Sequence, residues 1–294
     1  MRFTSRRRRA VRWRFSKVSR GVDAPNTDTQ HRTPTTRATF RTHRMAFELF
    51  ACDPLMGAPR LPSPGRRSDR ADLLAEIARL EIGRAVVRHR GAIDCGPITG
   101  NLLVAEETAG HDLLLPCPMV TPDGEEPDFK IGATIDRLIG TGARSCWIDP
   151  DLETFSLQPW CAGALYDVLS QRRMPLLLNY RPERMDDLDA VLGAYPELML
   201  ILLEAPRLGR NRMIYPLLER HANLVLCLSH SYSVVDGIED LCRTFGHERW
   251  VFGTGYPDAE SGAAVAGLAY AEVSDEARSA IGSGNLERLL ARVQ

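Results

Sequence analysis

The residues best able to do chemistry in this 294-residue chain are polar side chains that end apolar runs. Glu204 follows Leu198–Leu203, six apolar residues in succession. A carboxylate there is costly to bury unless paired, so it reads as a partly desolvated general base or as the partner of a cation. Asn179 follows Leu176–Leu178 and offers an amide N–H to a developing oxyanion. Asp149 and His230 end two further runs and are candidate acid–base groups. Each has a structural reading too: Asp149 precedes Pro150 and suits a turn, and His230 between Ser229 and Ser231 suits a strand cap. Arg181 and Arg207, just past two of the runs, are candidate holders of a substrate carboxylate. Tyr256 and Asp258, in Thr254-Gly255-Tyr256-Pro257-Asp258, are candidate substrate contacts. His89 sits in Arg88-His89-Arg90 and reads as part of a solvated basic patch.

The seven cysteines are odd in number, scattered, and form no C-x-x-C pair. Neither a disulfide framework nor a zinc knuckle is indicated, which fits a reducing cytosol. Cys52 and Cys117 end apolar runs, where a thiol is usually a small buried hydrophobe. A nucleophilic role would require a neighbouring histidine base.

Eight apolar runs must position these groups: 47–52, 85–89, 113–116, 145–149, 176–180, 199–204, 224–229 and 250–254. Each is apolar on both faces, as buried parallel strands are. Helical patterns lie between them at 69–82, 129–140, 160–172, 184–194, 211–220, 236–245 and 261–271. Leu73, Leu74, Ile77, Leu80 and Ile82 show the period in the first. Eight strand–helix units in about 250 residues match a (β/α)8 TIM barrel, an α/β fold whose chemistry sits where the strands end. An open doubly wound sheet is the alternative. It is disfavoured by the absence of a G-x-G-x-x-G after the first strand and of a P-loop.

Charge divides the chain. Residues 1–44 hold 13 of the 37 basic residues and 2 of the 38 acidic ones, a net +11, leaving −12 on 45–294. This Arg-rich leader has almost no apolar periodicity and is expected to be disordered. Met45, directly before the first strand-like run, reads as the real start of a single-domain barrel spanning 45–294. Nucleic acid is not expected as a partner despite the basic leader. No apolar run reaches the length of a membrane helix. The expectation is a cytoplasmic protein with a small-molecule ligand, its homo-oligomeric state open.

The segments Arg249-Trp250-Val251-Phe252-Gly253-Thr254-Gly255-Tyr256-Pro257 and Ile281-Gly282-Ser283-Gly284-Asn285-Leu286-Glu287-Arg288-Leu289-Leu290 resemble the C-terminal end of the amidohydrolase-related family. The resemblance implies a (β/α)8 barrel, usually with one divalent metal, and hydrolysis or non-oxidative decarboxylation of small acids and lactones. It also implies His-x-His ending strand one, histidines ending strands five and six, and an aspartate ending strand eight. Here those positions hold Phe50 and Cys52, Asn179, Glu204, and Gly255. The resulting expectation is a hydrolase or lyase for a small carboxylate or lactone, with a degenerate, metal-free site and no cofactor. One alternative is a non-catalytic barrel that binds a metabolite or partner. Another is a metal-dependent hydrolase whose zinc would be held by a set drawn from Cys52, Asp53, Glu204, His230 and Asp258.

Overall fold

The computed structural model describes residues 46–58, 68–123, 130–206, 212–232 and 236–294. The leader and Arg207 lie outside them. Strands β1 (Phe50–Ala51), β2 (Leu55–Met56), β3 (Arg84–His89), β4 (Leu114–Pro116), β5 (Cys146–Ile148), β6 (Leu176–Asn179), β7 (Leu200–Leu203), β8 (Leu224–Leu228) and β9 (Trp250–Phe252) pair in parallel. The eight expected runs all carry strand; seven have trimmed ends, and β3 begins one residue earlier than expected, at Arg84. The ninth strand arises because the first barrel strand is interrupted. β1 pairs with Arg84–Ala85 and β2 with Arg88–His89, along one edge of β3. The break falls at Cys52–Pro54, where proline has no N–H to give the ladder.

The sheet closes, which excludes the open doubly wound alternative. A bridge between Met119 and Trp147 joins the β4 side to β5. Cys52 N donates to Phe252 O at 2.9 Å and joins β1 to β9. Inward residues such as Phe50, Val86, Leu177, Ile201, Val225 and Val251 fill the barrel, and Leu286, Leu289 and Leu290 pack against them from below.

Helices α1 (Arg70–Arg79), α2 (Gly91–Cys95), α3 (Pro97–Thr108), α4 (Ile131–Gly140), α5 (Pro159–Arg172), α6 (Met185–Ala194), α7 (Ile214–Arg220), α8 (Gly237–Phe245), α9 (Ser261–Tyr270), α10 (Asp275–Ser279) and α11 (Asn285–Leu290) surround the strands. Asp69 and Asp72 cap α1 reciprocally, satisfying two donors that a helix start leaves open. α2 and α3 were not expected. The reason is visible on α3, where Ile98 and Leu102 are exposed and blur the apolar stripe. Among the described residues, no helix is long and apolar enough to cross a membrane.

The tail is pinned by Asn285, which is fully buried. Its Nδ2 donates to His247 O at 2.7 Å and to Trp250 O at 2.8 Å, and its Oδ1 accepts from Arg288. Asn285→Ala is expected to cost about 2–3 kcal/mol, because two carbonyls lose their donor. Urea denaturation checks this, and an unchanged midpoint would mean that the tail is held by packing alone.

Candidate active site at the barrel mouth

The strand break turns Asp53 across the barrel seam, 2% exposed. Its Oδ1 accepts from Thr254 N at 2.6 Å and Thr254 Oγ1 at 3.0 Å, and its Oδ2 from Gly255 N at 2.9 Å. A carboxylate at the first strand thus holds the turn that follows the last one. Gly253 makes this possible: a Cβ there would sit 2.8 Å from Asp53 Oδ2 and 2.4 Å from Cys227 Sγ.

Arg88 and His89 correct the expectation of a solvated basic patch, for they are 5% and 6% exposed. Along β3 the side chains alternate, so Arg88 follows Val86 into the barrel. Arg88 Nη2 donates to Asp53 O at 2.9 Å and Nη1 to Asn179 Oδ1 at 3.2 Å. The guanidinium lies 5.4 Å from the centre of the Trp147 ring, a cation–π contact. Its Nε has no partner.

The thiols beneath this layer behave as small hydrophobes. Cys52, Cys117 and Cys227 are buried. Burial pushes Cys117 up to about 12. The hydrogen bond with Cys52, followed by burial, holds Cys227 well above its ordinary value. Cys117 and Cys227 therefore stay protonated, which removes these two as nucleophiles.

The sequence candidates separate. Asn179 joins Asp53 and Arg88. His230 is half-buried, with Nδ1 enclosed and unpartnered. Its ring packs on Gly255, where a Cβ would lie 2.1 Å from Nδ1. Asp149 Oδ1 accepts from Leu152 N at 3.1 Å, so the turn reading describes its geometry. Glu204 follows β7 as expected but is exposed rather than partly desolvated, and its φ is 55°. Arg181 is exposed at the rim, donating to Tyr180 O at 3.1 Å and standing 3.9 Å from Asp151. Tyr256 is half-buried, and its hydroxyl is held above its ordinary value by burial and then by Asp72, Glu76 and Asp69 around α1. It therefore looks outward to that helix. Asp258 is exposed. Sequence reasoning missed Arg88 and the clamp made by Asp53. For Arg88 the available signal was the alternation from Ala85 to His89.

A cavity of about 520 Å³ opens beside the ends of the third and fourth barrel strands, with Ile98, Thr121, Asp123, Glu153, Phe155 and Cys161 among its lining. Burial, then Asp149 and Asp123, raise the Glu153 carboxyl above its ordinary value.

On the outer side of β3, His89 Nδ1 accepts from Gly91 N at 2.9 Å, which leaves the ring proton on Nε2. Nε2 stands 3.4 Å from Glu107 Oε1. Burial lowers the His89 pKa below its ordinary 6.5, against the opposing pull of Glu107. The unfolded chain therefore binds this proton more readily, and stability rises with pH in this window. The contribution is complete above pH 6.5 and is lost as pH falls toward the depressed folded value. His89→Gln is expected to lose less stability than the parent between pH 7 and 5, measured by denaturation midpoints. Equal losses would remove His89 as the cause.

The donor set does not fit a metal centre built on a histidine pair. Phe50 and Gly255 have no ligating side-chain atom, Asp53 is engaged by three donors, and burial disfavours the thiolates of Cys117 and Cys227. Among the described residues, no group of three His, Cys, Asp or Glu stands close enough to hold an ion. That includes the set Cys52, Asp53, Glu204, His230 and Asp258.

The family pattern described as Amidohydrolase matches residues 53–292. No curated protein matches the chain. An uncharacterised TIM-barrel protein of Bordetella bronchiseptica superposes with a TM-score of 0.64 at 18% identity, over 83% of this chain and 99% of its own. A 2,6-dihydroxybenzoate decarboxylase from Rhizobium does so with a TM-score of 0.65 at 15% identity, over 83% and 99%. A dihydroxybenzoic acid decarboxylase from Polaromonas, with bound manganese and the inhibitor 2-nitroresorcinol, gives 0.64 at 14% identity, over 83% and 97%. The manganese in that protein overturns the expectation that a barrel of this kind needs no cofactor.

Proposed function

The chain belongs to the amidohydrolase family, and from that premise we propose that it is a hydrolase or lyase acting on a small carboxylate or lactone at the mouth of its barrel. The observation that carries this reading is the polar layer of Asp53, Arg88 and Asn179 above an apolar interior. Desolvating such groups costs free energy, and they gather at the end of the barrel where this fold does its chemistry. The carboxylates named for the Rhizobium and Polaromonas proteins support a carboxylate substrate. In this reading Arg88 supplies fixed positive charge, Asn179 supplies N–H donors, and Glu204 is the general base. Left-handed backbone at a non-glycine residue is strained, and such strain concentrates at functional sites.

The test offers the full chain a panel of aromatic and aliphatic carboxylates and lactones, with and without added manganese. Release of carbon dioxide or of ring-opened product is followed, and turnover of none of them in either condition would sink the proposal. Glu204→Gln keeps the shape of an exposed side chain, so stability should hold. Activity should fall about 100-fold or more, the scale for losing a general base. Undiminished turnover in Glu204→Gln would take this residue out of the reaction.

A further inference from the structure

The Arg88 guanidinium is a buried cation that no carboxylate touches among the described residues. A guanidinium is a permanent cation, and no Asp or Glu oxygen lies within 4.0 Å of it among the described residues. Asp53 gives Arg88 its backbone carbonyl, while its carboxylate is engaged by Thr254 and Gly255. Nε has no acceptor at all. Burying a charge out of contact with a counter-ion costs free energy, which an anion seated on the guanidinium would offset.

Asn179 indicates from which side the anion comes. Its Oδ1 accepts from Arg88 Nη1 at 3.2 Å. That fixes the amide, because the guanidinium has only donors and Nδ2 cannot face it. The two Nδ2 hydrogens therefore turn away from Arg88, on a half-buried side chain that ends β6 at the mouth. None of the described groups accepts from them.

We propose that Arg88 and Asn179 form a seat for the carboxylate of the substrate. A carboxylate has two acceptor oxygens in one plane, which matches a charged donor and an amide donor side by side. The Trp147 ring offers its face to the guanidinium, 5.4 Å from its centre. Neither Arg181 nor Arg207 is needed for this task. The inference rests on the reading of the mouth as a carboxylate site and names the residues that recognise the ligand.

The test is calorimetric titration of the full chain with acetate, benzoate and 2-hydroxybenzoate at constant ionic strength, with sulfate as a further arm. The parent protein is expected to bind at least one carboxylate and to prefer it to sulfate. Asn179→Asp puts an anion beside Arg88, so the fold should be as stable as the parent or more so. Carboxylate affinity in this variant should fall about tenfold or more, the scale of losing a charge-assisted hydrogen bond. Arg88→Lys should weaken binding to a similar degree, because an ammonium does not span Asp53 O, Asn179 Oδ1 and a ligand together. Three results would overturn the seat: no carboxylate bound by the parent, sulfate bound equally well, or affinity undiminished in a folded Asn179→Asp protein. Turnover is scored separately. A protein that binds through this pair and converts nothing keeps the seat and loses the enzymatic reading.

Discussion

Asp53→Ala is expected to lower the unfolding free energy by about 3–5 kcal/mol, the range for stripping a buried charged group from its hydrogen-bonding partners. The carboxylate receives Thr254 N, Thr254 Oγ1 and Gly255 N. Removing it leaves these donors without an acceptor where water has little access, and each such loss costs about 1–3 kcal/mol. Asp53→Asn separates geometry from charge. Its single oxygen still serves the Thr254 donors, but its N–H2 group meets the Gly255 N–H, donor against donor. The loss should then be smaller, about 1–3 kcal/mol. Urea unfolding of the three proteins reads both values. If Asp53→Ala unfolds at the parent midpoint, the turn after β9 is held by something other than this carboxylate.

This clamp also shows why the site was less legible than the fold. The eight strands are local signals, short runs apolar on both faces, and each could be read without its neighbours. The Asp53 clamp joins residues 201 and 202 positions apart. It exists only because the sheet closes, and no window of sequence contains it. Arg88 failed for a different reason. The general tendency of arginine to be exposed outweighed the alternation that takes it inward beside Val86. The split of the first strand into β1 and β2 was signalled by Pro54, whose effect on a ladder is local. Glu204 follows β7 as the run implied, yet neither its exposure nor its left-handed backbone is revealed by the six apolar residues before it. The expectation of no cofactor failed because it was drawn from missing ligands alone, whereas the Polaromonas barrel of the same fold holds manganese.

Gly255→Asp, which reinstates the aspartate that the family resemblance implies at the end of strand eight, is expected to destabilise the protein by about 2–5 kcal/mol. Two effects add. Gly255 has φ 70°, a left-handed conformation that costs an L-residue about 1–2 kcal/mol, with aspartate among the more tolerant types. A Cβ there would also lie 2.1 Å from His230 Nδ1 and 2.7 Å from Cε1, so the ring must leave its position, at about 1–3 kcal/mol. Removing the ring abolishes the second effect and leaves the first. The double variant Gly255→Asp, His230→Ala should therefore be more stable than the sum of the single losses predicts, with a coupling of about 1–3 kcal/mol. Denaturant unfolding of the four proteins measures it. Additivity within about 0.5 kcal/mol would mean that the imidazole does not fill the space an aspartate needs. Coupling of the expected size would make His230 and an aspartate at position 255 competitors for one space, each tolerated at lower cost when the other is absent.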